Sequence, residues 1–244
     1  RYVADRTLGE GGAGRVYLVK DESGAQFALK LLLGQGVTSD KRRRFKNEIG
    51  FLQSTKHDNV VRVTDHGVHV GDTASWPFYV MEMYDESLRG LMQRGIAHAS
   101  VLPLFSQVLD GVEAAHVKGV VHRDLKPENV LYRRETNRLA VADFGVARFN
   151  AEELATAIET KPGTRLANFQ YAAPEQRMRD RSVGVAADIY ALGLMLNELF
   201  TGQIPHGTGY QKIGDVAADF AWLDEIVDTM LRQDPAGRPA SIDA

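Results

Sequence analysis

The stretch VVHRDLKPENVLY, residues 120–132, decides the fold. Two apolar, strand-like runs enclose a loop that carries an Arg, two acids, a Lys and an Asn. Asp124 lies two residues before Lys126 and five before Asn129. A carboxylate can accept the proton of a hydroxyl group, and an ammonium group can neutralise charge on a phosphoryl group. The loop is therefore a candidate reaction centre rather than an ordinary solvated turn.

A second acid follows the loop, in VADFG at residues 141–145. Asp143 lies 19 residues after Asp124. Carboxylate and amide oxygens are the ligands that a hard cation such as Mg²⁺ takes in proteins. The two acids cannot have equal roles, because one carboxylate must remain available for the hydroxyl proton. The set suits Mg²⁺-assisted phosphoryl transfer.

A glycine-rich segment, LGEGGAGRV at residues 8–16, precedes this centre by about a hundred residues. Gly9, Gly11 and Gly14 stand between two strand-like runs, where glycines let a backbone approach an anion and offer it N–H groups. A dinucleotide-binding fold needs a helix directly after the glycines, but RVYLVK at 15–20 is strand-like. The segment therefore predicts a phosphate-binding hairpin.

Lys30, in FALK at 27–30, lies on the strand that should pair with this hairpin. It could reach under the same phosphates, but it would then need an acid to hold it in place. Glu48 lies 18 residues later, on the one helix predicted for this part of the chain. A solvated Lys30 and an i,i+4 ion pair between Glu48 and Arg44 remain open as alternatives.

Composition describes an ordinary globular chain of 244 residues, 44% hydrophobic and 25% charged, large enough to bury a sizeable core. The net charge of −3 gives no footprint for nucleic acid or a membrane, and KRRRFK at 41–46 is interpreted as the solvated face of a helix. The absence of cysteine excludes disulfides and thiolate metal sites and fits a cytoplasmic location. No apolar run is long enough for a membrane span, although an anchor elsewhere in a longer protein stays open.

The chain divides into a strand-rich part and a helical part. The first 80 residues read mostly as strands, interrupted by one helix at 39–55 with Ser39 or Asp40 as its N-cap and Phe45, Ile49 and Leu52 on one face. Beyond Tyr84, helical periodicity dominates in three segments: 102–119, 185–200 and 222–233. Two such lobes would leave a ligand-binding cleft between them.

Taken together, these motifs resemble the protein kinase family in order and spacing over nearly the whole chain. The motifs are G-x-G-x-x-G-x-V at 9–16, Lys30, Glu48, HRDLKPEN at 122–129, DFG at 143–145 and AAPE at 172–175. The resemblance implies an α+β, bilobal protein-kinase-like fold with a β-rich N-lobe, one main helix in that lobe, and a helical C-lobe. It implies one kinase domain over 1–244, with lobes at 1–83 and 84–244, expected to be excised from a longer chain. Lys126 in DLKPEN resembles the serine/threonine class, and YAAPEQ and DPAGRPAS resemble the eukaryotic-like kinases of bacteria.

The resemblance also implies roles for individual residues. Asp124 would accept the hydroxyl proton, Lys126 would contact the γ-phosphate, and Asn129 and Asp143 would hold the metal ion. Lys30, held by Glu48, would bind the α- and β-phosphates. The implied nucleotide-binding set is Leu8, Gly9, Glu10, Gly11, Gly12, Ala13, Gly14, Val16, Ala28, Lys30, Met81, Glu82, Tyr84, Leu131 and Asp143.

The implied cofactors are ATP and Mg²⁺, with Mn²⁺ as an alternative ion, and the implied partner is a protein substrate. A homodimer is a further partner to consider, whereas no nucleic acid and no membrane contact by this domain are expected. Arg123 would bind a phosphate on the activation loop, with Thr160 or Thr164 as the phosphosite. Asp188 would hold the catalytic loop, and Arg238 would pair with Glu175 in a structural role.

One departure from the family pattern keeps other functions open. Asn168 stands where the family commonly has a Thr that bonds the catalytic Asp and Lys. It favours, as the main alternative, a nucleotide-binding pseudokinase or signalling scaffold. A small-molecule kinase on the same fold is a third reading, but such enzymes tend to lack the APE segment and Lys126, and both are present here.

Overall fold

The computed structural model describes residues 1–11, 14–32, 38–71, 74–144, 170–178, 183–207 and 209–244. The strand-rich lobe is an antiparallel sheet with the order β1-β2-β3-β5-β4. Its strands are β1 (Tyr2–Gly11), β2 (Gly14–Asp21), β3 (Gln26–Leu31), β4 (Val63–Val70) and β5 (Ser75–Glu82). The predicted strands of this lobe are all present. They could be predicted because alternating apolar and polar side chains distinguish a half-buried strand from a helix.

Helix α1 (Ser39–Ser54) packs on one face of this sheet. Its buried side includes the predicted Phe45, Ile49 and Leu52, and the Phe45 ring lies 5.4 Å from that of Tyr79 on β5. The predicted N-caps, Ser39 or Asp40, are both wrong, because the Thr38 hydroxyl accepts the bond from the backbone N–H of Lys41. Thr38 has the extended backbone that an N-cap requires, whereas Ser39 is already helical.

The second lobe is mainly helical, with a small sheet on the side that faces the first lobe. Its α-helices are α2 (Leu88–Gln93), α3 (His98–His116), α4 (Val185–Thr201), α5 (Ile213–Val216) and α6 (Leu223–Met230). The sheet, in the order β6-β7-β8, consists of β6 (Glu86–Ser87), β7 (Val130–Arg133) and β8 (Arg138–Val141). Helix α4 is buried from Ala187 to Phe200 apart from Tyr190, as its nearly uniform apolar sequence predicts. Within the described residues, no helix is long and apolar enough to cross a membrane.

The loop between α1 and β4 contacts β8 of the second lobe. The backbone N–H of Val61 donates to the carbonyl of Val141 (3.0 Å), and that of Val141 donates to the carbonyl of Asn59 (2.8 Å). Helix α3 passes so close that a Cβ on Gly111 would lie 2.2 Å from the Asn59 carbonyl oxygen. This contact fixes α1 relative to β8, the strand that leads to Asp143.

Candidate active site

The β1–β2 hairpin forms the roof of the cleft. Gly9, Glu10 and Gly11 pair with Val16, Arg15 and Gly14. Gly14 has φ +124°, and a Cβ there would lie 2.4 Å from the carbonyl oxygen of Leu31, so only glycine fits. Leu8 lies on the same strand and is 39% exposed. Gly12 and Ala13, at the predicted tip, lie outside the described residues.

Lys30 is the centre of a buried ionic network. Its Nζ donates to Oε1 of Glu48 (3.0 Å) and to Oδ1 of Asp143 (2.6 Å), and the side chains of Lys30 and Glu48 are each 2% exposed. The Tyr79 hydroxyl donates to the same Glu48 oxygen (3.0 Å). The predicted alternatives of a solvated Lys30 and of an ion pair between Glu48 and Arg44 are therefore wrong. Glu48 faces the sheet because it lies between buried Phe45 and Ile49 on α1.

The charges of this network perturb one another. Burial works against the charge on Lys30, but the carboxylates of Asp143 and Glu48 raise the pKa of its ammonium well above the usual value. Burial also opposes ionisation of Asp143, yet the ammonium of Lys30 lowers the pKa of that carboxyl. For Glu48 burial dominates and raises the pKa of the carboxyl. Lys30 is thus a cation held between two acids, facing the glycine-rich hairpin.

The loop after His122 holds the second cluster. Lys126 Nζ donates to both carboxylate oxygens of Asp124 (3.2 and 3.0 Å). Asn129 Nδ2 donates to the Asp124 carbonyl (2.7 Å) and to its Oδ2 (3.1 Å). Asp124, Lys126 and Asn129, which the sequence pairs by spacing alone, are therefore in mutual contact. These bonds orient the Asp124 carboxylate, and its side chain is 27% exposed.

Helix α4 anchors this loop from below. The Asp188 carboxylate accepts hydrogen bonds from the backbone N–H of His122 (2.8 Å) and of Arg123 (2.7 Å). Gln176 donates to the carbonyl of Arg123 (2.7 Å). These bonds hold Arg123 at φ +64°, a backbone region that non-glycine residues seldom adopt. The His122 ring nitrogen Nε2 lies 2.8 Å from the Ala142 carbonyl, which ties the loop to the residue before Asp143.

Asp143 and Asn129 have the oxygens that a magnesium site needs. Lys30 engages Oδ1 of Asp143, and within the described part of the chain its Oδ2 has no hydrogen-bond partner. The Asn129 amide donates twice to Asp124, which leaves its Oδ1 without a partner among the same residues. Mg²⁺ usually takes one or two protein oxygens and completes its shell with water and phosphates. The two side chains fit such a site.

The predicted adenine-binding residues lie where β5 passes into the second lobe. Met81 is 6% exposed and pairs across the sheet with Ala28, on the face where Lys30 pairs with Tyr79 and Val16. Leu131 lies on β7, in the other lobe. The Glu82 side chain lies on the opposite face of β5 from Met81, and its carboxylate accepts a hydrogen bond from Arg133 (2.8 Å). Burial raises the pKa of the Tyr84 phenol to about 12.

The sequence did not predict a partly buried ionic cluster in the second lobe. Arg89 on α2 donates to Glu198 on α4 (2.6 Å), to Glu128 in the loop after His122 (2.7 Å) and to the Tyr171 hydroxyl (2.6 Å). Tyr171 also donates to Glu198. One indication of this cluster in the sequence is Glu198, which lies in the largely apolar helix α4. A buried acid requires a partner.

The remaining predicted residues are a buried ion pair and three positions that lie outside the described residues. Arg238 forms two hydrogen bonds with Glu175 (2.8 and 2.9 Å), and both side chains are almost fully buried. Thr160, Thr164 and Asn168 lie outside the described residues.

A cleft of this architecture, with a Lys held between two acids opposite an Asp–Lys–Asn loop, defines a two-lobed phosphotransferase. The protein kinase domain family matches residues 2–242 of the chain. The chain therefore belongs to the protein kinase family.

Individual relatives agree with this assignment. Serine/threonine-protein kinase Pkn1 of Myxococcus xanthus is 35% identical over 82% of this chain and 29% of its own length. Serine/threonine-protein kinase A of Synechocystis is 31% identical over 100% of this chain and 51% of its own length. The crystal structure of the Mycobacterium tuberculosis PknI kinase domain superposes with a TM-score of 0.73 at 28% identity, covering 99% of this chain and 92% of that one. The predicted family and bilobal α+β fold are confirmed, and the predicted serine/threonine class is the one that these relatives' names carry. The chain spans about half or less of the length of these two curated relatives.

Proposed function

We propose that this chain transfers the γ-phosphoryl group of ATP to Ser or Thr hydroxyls of protein substrates, its own activation loop included. The observation that carries the proposal is the pair of contacts from Lys30 to Glu48 and to Asp143. They join the sheet, α1 and the metal-binding acid in one arrangement. Phosphoryl transfer by this fold requires that the Lys–Glu pair and the acid for the metal ion are both in place, and the two contacts of Lys30 supply that arrangement.

In the proposed reaction, the oxygen of the substrate hydroxyl forms a bond to the γ-phosphorus, and Asp124 accepts the proton that this hydroxyl loses. The bond between that phosphorus and the β–γ bridging oxygen breaks, and ADP departs. Lys126, which lies beside Asp124 before substrate binds, neutralises charge on the transferring group. Lys30 and the backbone of the glycine-rich hairpin (Leu8, Gly9, Glu10, Gly11, Gly12, Ala13, Gly14) bind the phosphates.

Asn129 and Asp143 would hold Mg²⁺, which supplies neutralisation of the phosphate oxygens when bound. Val16, Ala28 and Leu131 would enclose the purine, next to Met81. The backbone groups of Glu82 and Tyr84 would bind the purine edge. Lys30 and Glu48 keep α1 in the position that aligns these groups.

The test is incubation of the purified chain with γ-labelled ATP, Mg²⁺ and a generic basic protein, followed by phosphoamino acid analysis. We expect label on Ser and Thr, both in the added protein and in the chain itself. ATP binding measured by calorimetry without any transfer would refute the proposal in favour of a nucleotide-binding scaffold. Label on tyrosine alone would refute the serine/threonine class.

Regulation, location and boundaries form a further part of the proposal. A phosphate on Thr160 or Thr164 would contact Arg123, and full activity with both threonines unmodified would contradict this.

The proposed location is the cytoplasm, which supplies ATP and a reducing medium that a chain without cysteine tolerates. We propose one domain over 1–244, with the lobes meeting at residues 83 and 84, as part of a longer protein. Homodimerisation stays a prediction, and sedimentation measurements would test it.

A further inference from the structure

One arginine of the second lobe contacts the joining segment, residues 82–85, which connects the two lobes. Arg133, the last residue of β7, donates from Nη2 to Oε2 of Glu82 (2.8 Å) and to the carbonyl of Met83 (3.0 Å). Its guanidinium carbon also lies 4.9 Å from the centre of the Tyr84 ring. Three consecutive residues of the joining segment therefore contact a single side chain. Glu82 is the last residue of β5, so the ion pair spans the two lobes.

The same contacts decide which backbone groups of this segment can face the cleft. The Met83 carbonyl is directed at Arg133, and the backbone N–H of Asp85 donates to the carbonyl of Tyr132 (2.9 Å). The backbone N–H and carbonyl of Tyr84, between these two bonded residues, have no hydrogen-bond partner among the described residues. The Met83 carbonyl and the Asp85 N–H are therefore bound to β7, and the backbone groups of Tyr84 are left for a ligand.

We propose that Arg133 is a positioning residue that sets the alignment of the joining segment on the purine base, and thereby the preference for adenine over guanine. The inference rests on the proposed nucleotide site, because it assigns a cause to the geometry of that site. Adenine carries an amino donor where guanine carries a carbonyl acceptor. A backbone carbonyl held in the right place accepts a hydrogen bond from the first and repels the second. Arg133 touches neither base, and it acts by fixing the strand that does.

The contact pattern requires an arginine. A guanidinium is planar and presents donors in a fixed fork, so it can bond a carboxylate and a carbonyl while lying over a ring. A lysine ammonium in the same place would keep the charge pair with Glu82 but would lose the planar contact with Tyr84. Arg62 also approaches Glu82, but at 4.0 Å and with a side chain 77% exposed, so it is not a substitute.

The experiment compares Arg133→Met and Arg133→Lys with Arg134→Met. Arg134 is the matched control because it is adjacent, and within the described residues the ion pair of its exposed side chain is a 3.6 Å contact with Glu86. KM and kcat are measured for ATP and for GTP on the same protein substrate, and Kd for ATP by calorimetry. For Arg133→Met we expect the KM and Kd for ATP to rise about ten-fold, the loss of a charge-assisted hydrogen bond. The KM for GTP should change less than two-fold and kcat little, so the discrimination ratio falls by nearly the same factor.

Arg133→Lys should lie between the wild type and Arg133→Met, and Arg134→Met should match the wild type. A structural role alone would lower kcat for both nucleotides without changing the discrimination ratio, and that result would overturn the proposal. An unchanged KM for ATP, or equal rises for ATP and GTP, would also overturn it. Failure of the wild-type chain to bind ATP would refute the proposed function itself, and this inference with it.

Discussion

Replacing Lys30 with methionine leaves two carboxylates opposite one another without a cation between them. Glu48 is 2% exposed and would keep only its bond from Tyr79, whereas Asp143 is 38% exposed and can be hydrated. Removal of one partner from a buried ion pair costs about 3–5 kcal/mol. Protonation of Glu48, whose pKa is already raised by burial, limits the cost to the lower part of that range. We therefore expect Lys30→Met to lower the free energy of unfolding by about 3 kcal/mol, or Tm by roughly 10 °C for a chain of this size.

Glu48→Gln provides the contrast on the same network. The glutamine oxygen can still accept the hydrogen bond from Tyr79, and Lys30 keeps its 2.6 Å contact with Asp143. Only one charge-assisted bond weakens, so the expected loss is about 1 kcal/mol, or about 2–4 °C in Tm. Lys20→Met is the control, because its 3.2 Å pair with Asp5 is about half exposed and contributes little.

The assay is urea unfolding without nucleotide, followed by circular dichroism, with ATP binding measured on the same samples. Both network variants should bind ATP more weakly than Lys20→Met, although their stabilities differ. Equal destabilisation by Lys30→Met and Glu48→Gln would refute the reasoning, because it would mean that removal of the cation leaves no additional penalty from an unpaired buried carboxylate. A Lys30→Met variant as stable as the wild type would refute the buried network altogether.

Three other outcomes follow from named contacts. Arg238→Met should cost about 3–5 kcal/mol of stability, because it leaves Glu175 buried and unpaired, and kcat per folded molecule should persist; a fall in kcat without a fall in Tm would contradict it. Gly111→Ala should cost at least about 1–3 kcal/mol in urea unfolding, because its Cβ would overlap the Asn59 carbonyl, and a wild-type midpoint would show that α3 does not pack this closely. Because burial raises the pKa of Tyr84 to about 12, only the unfolded chain loses this phenolic proton between pH 10 and 12, and stability falls as the pH rises. Tyr84→Phe should make that fall shallower, and an identical slope in both proteins would contradict the shift.

The elements that could be predicted from the sequence are those with a strong local pattern. Helix α4 is apolar on nearly every side and is buried, and the buried face of α1 follows from the spacing of Phe45, Ile49 and Leu52. The N-cap of α1 was missed, because Thr38 and Ser39 both have hydroxyls that can accept the capping bond. Local chemistry limits precision at helix ends but not the existence of the helix.

The site could be predicted as a set of residues, but its contacts could not be derived from local pattern. Glu48 had a plausible partner four residues away in Arg44, and only the docking of α1 on the sheet directs it to Lys30 instead. The bond between Arg89 and Glu198 joins residues 109 positions apart, so no local pattern indicates it. Arg133 was missed for the same reason, because its contacts depend on how the two lobes meet.

The most direct test of the account is a single-turnover measurement of phosphoryl transfer with Asp124→Asn. Asparagine keeps the size of the side chain and its contact with Asn129, but it cannot accept the hydroxyl proton as a carboxylate does. Asp110→Asn, an exposed position on α3, is the matched control.

The account predicts that Asp124→Asn binds ATP with a Kd close to that of the wild type and transfers phosphate about 10²–10⁴-fold more slowly, while Asp110→Asn transfers at the wild-type rate. Transfer by Asp124→Asn at a rate near that of the wild type would contradict the assignment of this loop as the reaction centre.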